Sequence, residues 1–190
     1  LINGYLPNNY FRDRIYYGVT HLSAADAKLQ VISAINQGRL LVNYIGHASI
    51  QIWASEHLLD FGSLDLMTNA GKYPLMVPMT CMDGFFIAPS PPGVDNSSLS
   101  EVLVRAAGKG AIASWAPTGQ GVAAGHDYLD RGLFMALLKQ YVTVLGPATL
   151  LAKLNLTNNT SDYMELIDTY VILGDPALRT AIADFQEAVR

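Results

Sequence analysis

The sequence predicts an α/β fold built on a mostly parallel sheet flanked by helices. Two observations carry this reading. Short apolar runs alternate along the chain with longer amphipathic stretches, the pattern of βαβ units. The composition also fits a heavily covered sheet: of 190 residues, 51% are hydrophobic and only 15% are charged. An ordinary domain carries about 25% charged residues, and parallel strands lower that share because they are apolar on both faces. The low charge has a second reading, a chain cut from something larger whose surface lacks a partner. The start at Leu1 rather than Met adds to it, so residues 1–190 are expected to be one domain or subdomain excised from a longer chain.

The elements follow in order. Ser23 with Asp26 three residues later is an acidic variant of a capping box, and it opens a run with apolar Leu29, Ile32 and Ile35 at helical spacing. Gly38 ends that helix as a C′ glycine. Residues 40–45 read as a buried strand stopped by Gly46. Residues 74–80 are a second strand, and internal Pro78 places it at a strand end or a sheet edge. After a loop with Pro89, Pro91, Pro92 and Gly93, residues 98–107 are helical and residues 110–115 form a third strand. Residues 125–140 make a long amphipathic helix with Leu129, Leu133, Leu137 and Leu138 on its apolar face. Residues 145–154 make another, with Pro147 in its first turn. Gly174-Asp175-Pro176 reads as a closing turn.

Several function classes drop out. One cysteine excludes a disulfide scaffold and a Cys-based structural zinc site. A net charge of −4 with no basic run argues against a nucleic-acid partner. Uncharged stretches are broken by Pro and Gly well before about 18 apolar residues accumulate, so no membrane span is read. No acidic spacing of the EF-hand kind is present for calcium, and no metal site is expected. Asn96, Asn155, Asn158 and Asn159 head glycosylation sequons that matter only in a eukaryotic secretory setting.

In an open parallel sheet, ligands bind beyond the carboxyl ends of the strands. The first strand delivers Gly46-His47-Ala48-Ser49, the second Thr80-Cys81-Met82-Asp83-Gly84, and the third Ala116-Pro117-Thr118-Gly119-Gln120-Gly121. A histidine and the single cysteine therefore leave two strand ends facing one crevice. Neighbouring strands lie about 4.8 Å apart, so an imidazole there can serve a thiol nucleophile. The same residues also fit a small buried hydrophobe and a structural histidine. Taken alone, they leave both readings open. His57, beside Glu56 and Asp60, reads as part of a solvated face, and His126 as a helix-start surface residue or a pocket-lining one.

Tyr44-Ile45-Gly46-His47-Ala48-Ser49, followed by Pro74 and then Thr80-Cys81-Met82-Asp83-Gly84-Phe85-Phe86, resembles the catalytic core of gingipain-type cysteine peptidases of the caspase-like clan. The resemblance continues through residues 98–105, the strand at 110–115, residues 146–153 and Leu173-Gly174-Asp175-Pro176-Ala177-Leu178. It implies a three-layer caspase-like fold and a cysteine endopeptidase that works through a Cys81 thioester without a cofactor. His47 would protonate the leaving amine and later activate the deacylating water. The backbone N–H groups of Ala48 and Cys81 would form the oxyanion hole, where one donor is worth about 3 kcal/mol. Ser114, Trp115, Ala116, Pro117 and Thr118 would wall the S1 pocket, and Asp83 or Asp127 would offer negative charge to a basic P1 side chain.

The chain departs from the family at Ala48, where the family carries glycine. Alanine keeps the N–H but disfavours a positive φ, so the oxyanion geometry turns on that angle. The family's N-terminal half supplies further strands, the acid that orients the histidine and an S1 carboxylate. It is expected to precede Leu1 and to be the chain's partner, so P1 preference does not carry over. Without it the chain is expected to expose an apolar face or edge and to self-associate. The implied substrate is a peptide or protein, and the implied location is secreted or at a bacterial cell surface. A non-catalytic caspase-like scaffold, or transfer of a different acyl group by the same pair, are the alternatives.

Overall fold

A computed structural model of the chain describes residues 4–7 and 10–182. Its elements are helix α1 (Ala24–Gln37), strands β1 (Leu41–Ile45), β2 (Ile52–Trp53), β3 (Leu59–Asp60) and β4 (Leu75–Met79), then α2 (Leu99–Arg105) and β5 (Ala113–Pro117). Helices α3 (Ala123–Leu138), α4 (Leu145–Asn159) and α5 (Glu165–Thr169) and strand β6 (Tyr170–Leu173) complete the order. Four strands form one sheet in the order β1-β4-β5-β6. The pairs β1–β4 and β4–β5 are parallel, and β6 runs antiparallel to β5. Strands β2 and β3 form a separate antiparallel pair in the connection from β1 to β4.

Strand alternation divides the core into two layers of side chains. Leu75, Val77, Met79, Ala113 and Trp115 pack against Leu129, Leu133 and Leu137 of α3 and Ala148, Ala152 and Leu156 of α4. On the opposite face, Met76 packs with Ile32 and Ile35 of α1 and Leu99 and Leu103 of α2. The result is the expected three-layer sandwich. Burying side chains such as Ile32 and Ile35, 3% and 1% exposed, stabilises by about 1.5–3 kcal/mol each.

The α1 caps hold as read. The Asp26 N–H donates to the Ser23 side chain, and Gly38 closes α1 at φ 89°, a left-handed conformation that favours glycine. Ser98 and Glu101 form a reciprocal capping box on α2. Four particulars differ from expectation. Leu29 is exposed, and Ala27 takes its place on the buried face of α1. β1 is only half-buried because it is an edge strand. β4 is central and fully buried despite Pro78. Its ladder with β5 stops at Met76↔Ser114, so Pro78, whose missing N–H faces that side, loses no bond. Finally, β5 starts at Ala113 rather than residue 110, because the buried Asn69 side chain takes both the N–H and the C=O of Gly110.

Candidate active site

The paired strands set the site. Ile45 of β1 lies opposite Met79 of β4, so His47 and Cys81 stand at equivalent positions, two residues beyond the paired ends of adjacent parallel strands. The Gly46 N–H donates to the Met79 carbonyl, which carries the pairing one step past the strands. His47 is exposed and Cys81 is half-buried.

A tight hairpin follows β1. Ala54 N–H donates to the His47 carbonyl (2.8 Å) and Ser49 N–H to the Ile52 carbonyl (3.0 Å), which bracket an antiparallel bridge between Ala48 and Trp53. In a bridge bracketed this way the two facing residues are the non-hydrogen-bonded pair, so the Ala48 N–H turns away from Trp53. The non-glycine residues with positive φ are Ala54, His57, Met82, Tyr141 and Tyr163, so Ala48 stands in ordinary backbone and its methyl brings no strain. Tyr44 stacks on Trp53, with ring centroids 4.2 Å apart and planes within 4°. Its hydroxyl donates to the His47 carbonyl at 2.7 Å. Burial first, then the nearby Asp83 and Glu56 charges, push that phenol up to about 12, so it stays a donor.

The turn after β4 leans on the segment after β5. Met82 N–H donates to the Gly119 carbonyl and Gly84 N–H to the Pro117 carbonyl, both at 2.9 Å. The Cys81 thiol donates to the Gly121 carbonyl (3.6 Å), and the Gly121 N–H donates to its sulfur (3.4 Å). Met82, next to the thiol, holds φ at 61°, a left-handed conformation costing on the order of 1–3 kcal/mol. Strain of this kind clusters at active sites.

Asp83 joins the two loops. Its carboxylate accepts from Trp53 Nε1 at 2.7 Å and from the Ser100 hydroxyl at 2.5 Å, and Ser100 shares a further bond with Ser114. Burial raises the Asp83 carboxyl to about 6, against the pull of those two donors. The hairpin behind His47 is thus tied to the turn behind Cys81 through one buried carboxylate. A structural tie of this kind is invisible in sequence, because Trp53 and Asp83 are thirty residues apart.

Other expected residues sit differently. Asp83 is 1% exposed and cannot face a substrate cation, and Asp127 pairs with Arg131 at 2.7 Å. Ser114, Trp115, Ala116 and Pro117 are strand residues of β5 with enclosed side chains, so only Thr118 of the five reaches partly to the surface. Its N–H and hydroxyl both donate to the Thr169 carbonyl. His126 is not a surface residue: at 6% exposed it lies in the core, edge-on to Tyr170 with centroids 5.7 Å apart. His57 is exposed and bonded to Asp60, as a solvated face requires. Among the described residues, no three His, Cys, Asp or Glu side chains converge as a metal site. Among them, too, no helix is long and apolar enough to cross a membrane.

Comparison with known proteins agrees with this geometry. Gingipain R2 of Porphyromonas gingivalis is 29% identical over 163 residues, covering 78% of this chain and 20% of the relative. Gingipain R1 of the same organism matches at 29%, with 15% of its length covered. The chain thus spans about a fifth or less of these relatives. The crystal structure of the Arg specific cysteine proteinase gingipain R superposes with a TM-score of 0.71 at 25% identity, covering 82% of this chain and 36% of that one. A complex of Porphyromonas gingivalis RgpB pro- and mature domains shares the fold with a TM-score of 0.72 at 24% identity, over 82% of this chain and 37% of that one. The model of peptidase family C25 matches residues 1–181, which takes in both strand ends and the loops between them, and the chain belongs to that family.

Proposed function

We propose that this chain carries the nucleophile and the general acid–base of a cysteine endopeptidase. Cys81 attacks a peptide carbonyl to form a thioester, His47 protonates the departing amine, and His47 then activates the water that hydrolyses the thioester. The N–H groups of Ala48 and Cys81 hold the oxyanion; neither has an acceptor among the described hydrogen bonds. The observation that carries this reading is the register of β1 and β4, which puts the imidazole and the thiol at matching positions over one sheet edge.

The substrate wall is narrower than the sequence suggested. It is formed by Thr118 and the main chain of residues 119–121, while the side chains of Ser114, Trp115, Ala116 and Pro117 support it from within. No P1 preference is assigned, because Asp83 is enclosed and Asp127 is paired. The partner proposed for this chain is a preceding half of the domain, packed on the β1 edge. Two features support it: among the described residues β1 has no strand on its outer side, and a largely apolar cavity of about 250 Å³ opens beside it, lined by Phe11, Val31, Leu41 and Tyr44. The matched relatives are proteins of a bacterium, which supports a bacterial peptidase; the secreted or cell-surface location is proposed on the family resemblance alone.

Cys81→Ala in the full-length protein tests the reading. Activity on a peptide library is expected to fall by at least ~10³-fold with folding intact, as for loss of a covalent nucleophile. Unchanged turnover in a folded variant sinks it. Failure of a peptidyl alkylating probe to label Cys81 in the native wild type would favour a scaffold instead.

A further inference from the structure

We propose that His126 is a positioning residue for the Cys81 thiol: its neutral imidazole is the floor under Gly121, and protonating it releases the hold of Gly121 on the sulfur. The inference rests on the reading of Cys81 as nucleophile. Gly121 grips the thiol with both its N–H (3.4 Å) and its carbonyl (3.6 Å). Its own backbone lies directly on the imidazole. A Cβ at Gly121 would fall 2.2 Å from His126 Nε2, 2.9 Å from Cε1 and 3.1 Å from Leu166 Cδ2. Glycine is needed here by close approach, not by a positive φ. The His126 N–H also donates to the Val122 carbonyl, so the same residue holds the segment from below and from its end.

The ring has little to hold a charge. His126 Nε2 is buried and, among the described residues, has no hydrogen-bond partner. From β6 the neutral Tyr170 ring faces it edge-on, with its phenol pushed well above the ordinary range by burial. From α5 the neighbour is Leu166. On α3 itself, Asp127 is taken by Arg131, and Asp130, one turn on, bonds Asn43 and is held by burial in its neutral form up to about 7. Across Gly121 lies Cys81 itself. Burial alone lowers the imidazole to about 4, a range in which Asp130 is neutral too. An unpaired imidazolium is costly in such surroundings, so protonation drives the ring toward water, and Gly121, seated against Nε2, loses its support.

Two measurements on the full-length protein test this. The first follows the His126 ring by NMR, assigned by its loss in His126→Phe, and expects titration near 4. The second follows reaction of the thiol with a dipyridyl disulfide, which reports thiol chemistry into the acid range, with Cys81→Ala assigning the signal. Wild type and His126→Phe are expected to coincide above about pH 6 and to differ by about threefold or more near pH 3.5, where most imidazole is charged. His126→Gln, also without a charge to gain, must follow the Phe variant. An imidazole that titrates near its ordinary value, or profiles that overlay at every pH, overturns the inference. Full peptide hydrolysis by Cys81→Ala would instead overturn the catalytic reading, and the thiol profile would still judge His126.

Discussion

Asp83→Ala removes the carboxylate that ties the His47 hairpin to the Cys81 turn, and its cost should depend on pH. The change strips the acceptor from Trp53 Nε1, on an indole only 2% exposed, and the acceptor from the Ser100 hydroxyl. Ser100 keeps Ser114 as a partner, so the indole N–H is the orphan. An orphaned buried donor, a lost bond and a small cavity together cost about 3–5 kcal/mol. That full penalty applies below about pH 4, where Asp83 is protonated in the folded and the unfolded chain alike. The folded carboxyl titrates at about 6 against an ordinary 3.8. The native state therefore binds the proton more tightly, and wild-type stability falls as pH rises from about 4 through about 6, by up to about 3 kcal/mol. Alanine escapes this loss, about half of which falls between pH 5 and about pH 7.5, so its penalty should shrink by about 1.5 kcal/mol over that interval. Asp83→Asn keeps an acceptor for Trp53 and has no charge to bury, so its stability relative to wild type should rise by about 1.5 kcal/mol from pH 5 to about pH 7.5. Urea unfolding followed by tryptophan fluorescence at the two pH values measures each difference. An alanine penalty below ~1 kcal/mol near pH 5, or one equal at both pH values, refutes the reasoning.

Asp130 has the same sign and His126 the opposite one. The Asp130 carboxyl is raised to about 7 by burial, so it removes up to about 4 kcal/mol as pH climbs from about 4 to 7, and His126, lowered to about 4, removes up to about 3 as pH falls below its ordinary 6.5. Asp83 and Asp130 together outweigh His126, so the chain should be more stable near pH 5 than near pH 7.5, and Asp130→Asn should flatten that slope; a slope unchanged by Asp130→Asn refutes the assignment. The chain taken alone should self-associate through the half-exposed β1 edge and the apolar surface around it, where Phe11 is 75% exposed and Ile45 also faces solvent. Sedimentation over a concentration series checks this, and a strictly monomeric chain as stable as an N-terminally extended one contradicts it.

Local rules carried most of the fold. Ser23 and Gly38 bounded α1, and the leucine spacing of residues 129–138 marked the buried face of α3. These features act over one or two turns of chain, so a linear reading contains their whole cause. The candidate pair could be picked out for the same reason: His47 and Cys81 each follow an apolar run, and the parallel pairing of β1 and β4 ends them at the same edge. What tertiary structure decided was burial and pairing between distant segments. Asp83 and His126 look like surface polar residues in sequence, and they became a buried tie and a buried floor only because Trp53, Ser100, Gly121 and Tyr170 close around them. The neighbours of β4 likewise come from chain 34 residues before it and 38 after it, and those contacts made a proline-bearing strand central. Sequence fixes a residue's chemistry and its local backbone, whereas its protonation and its partners depend on which remote groups exclude water from it.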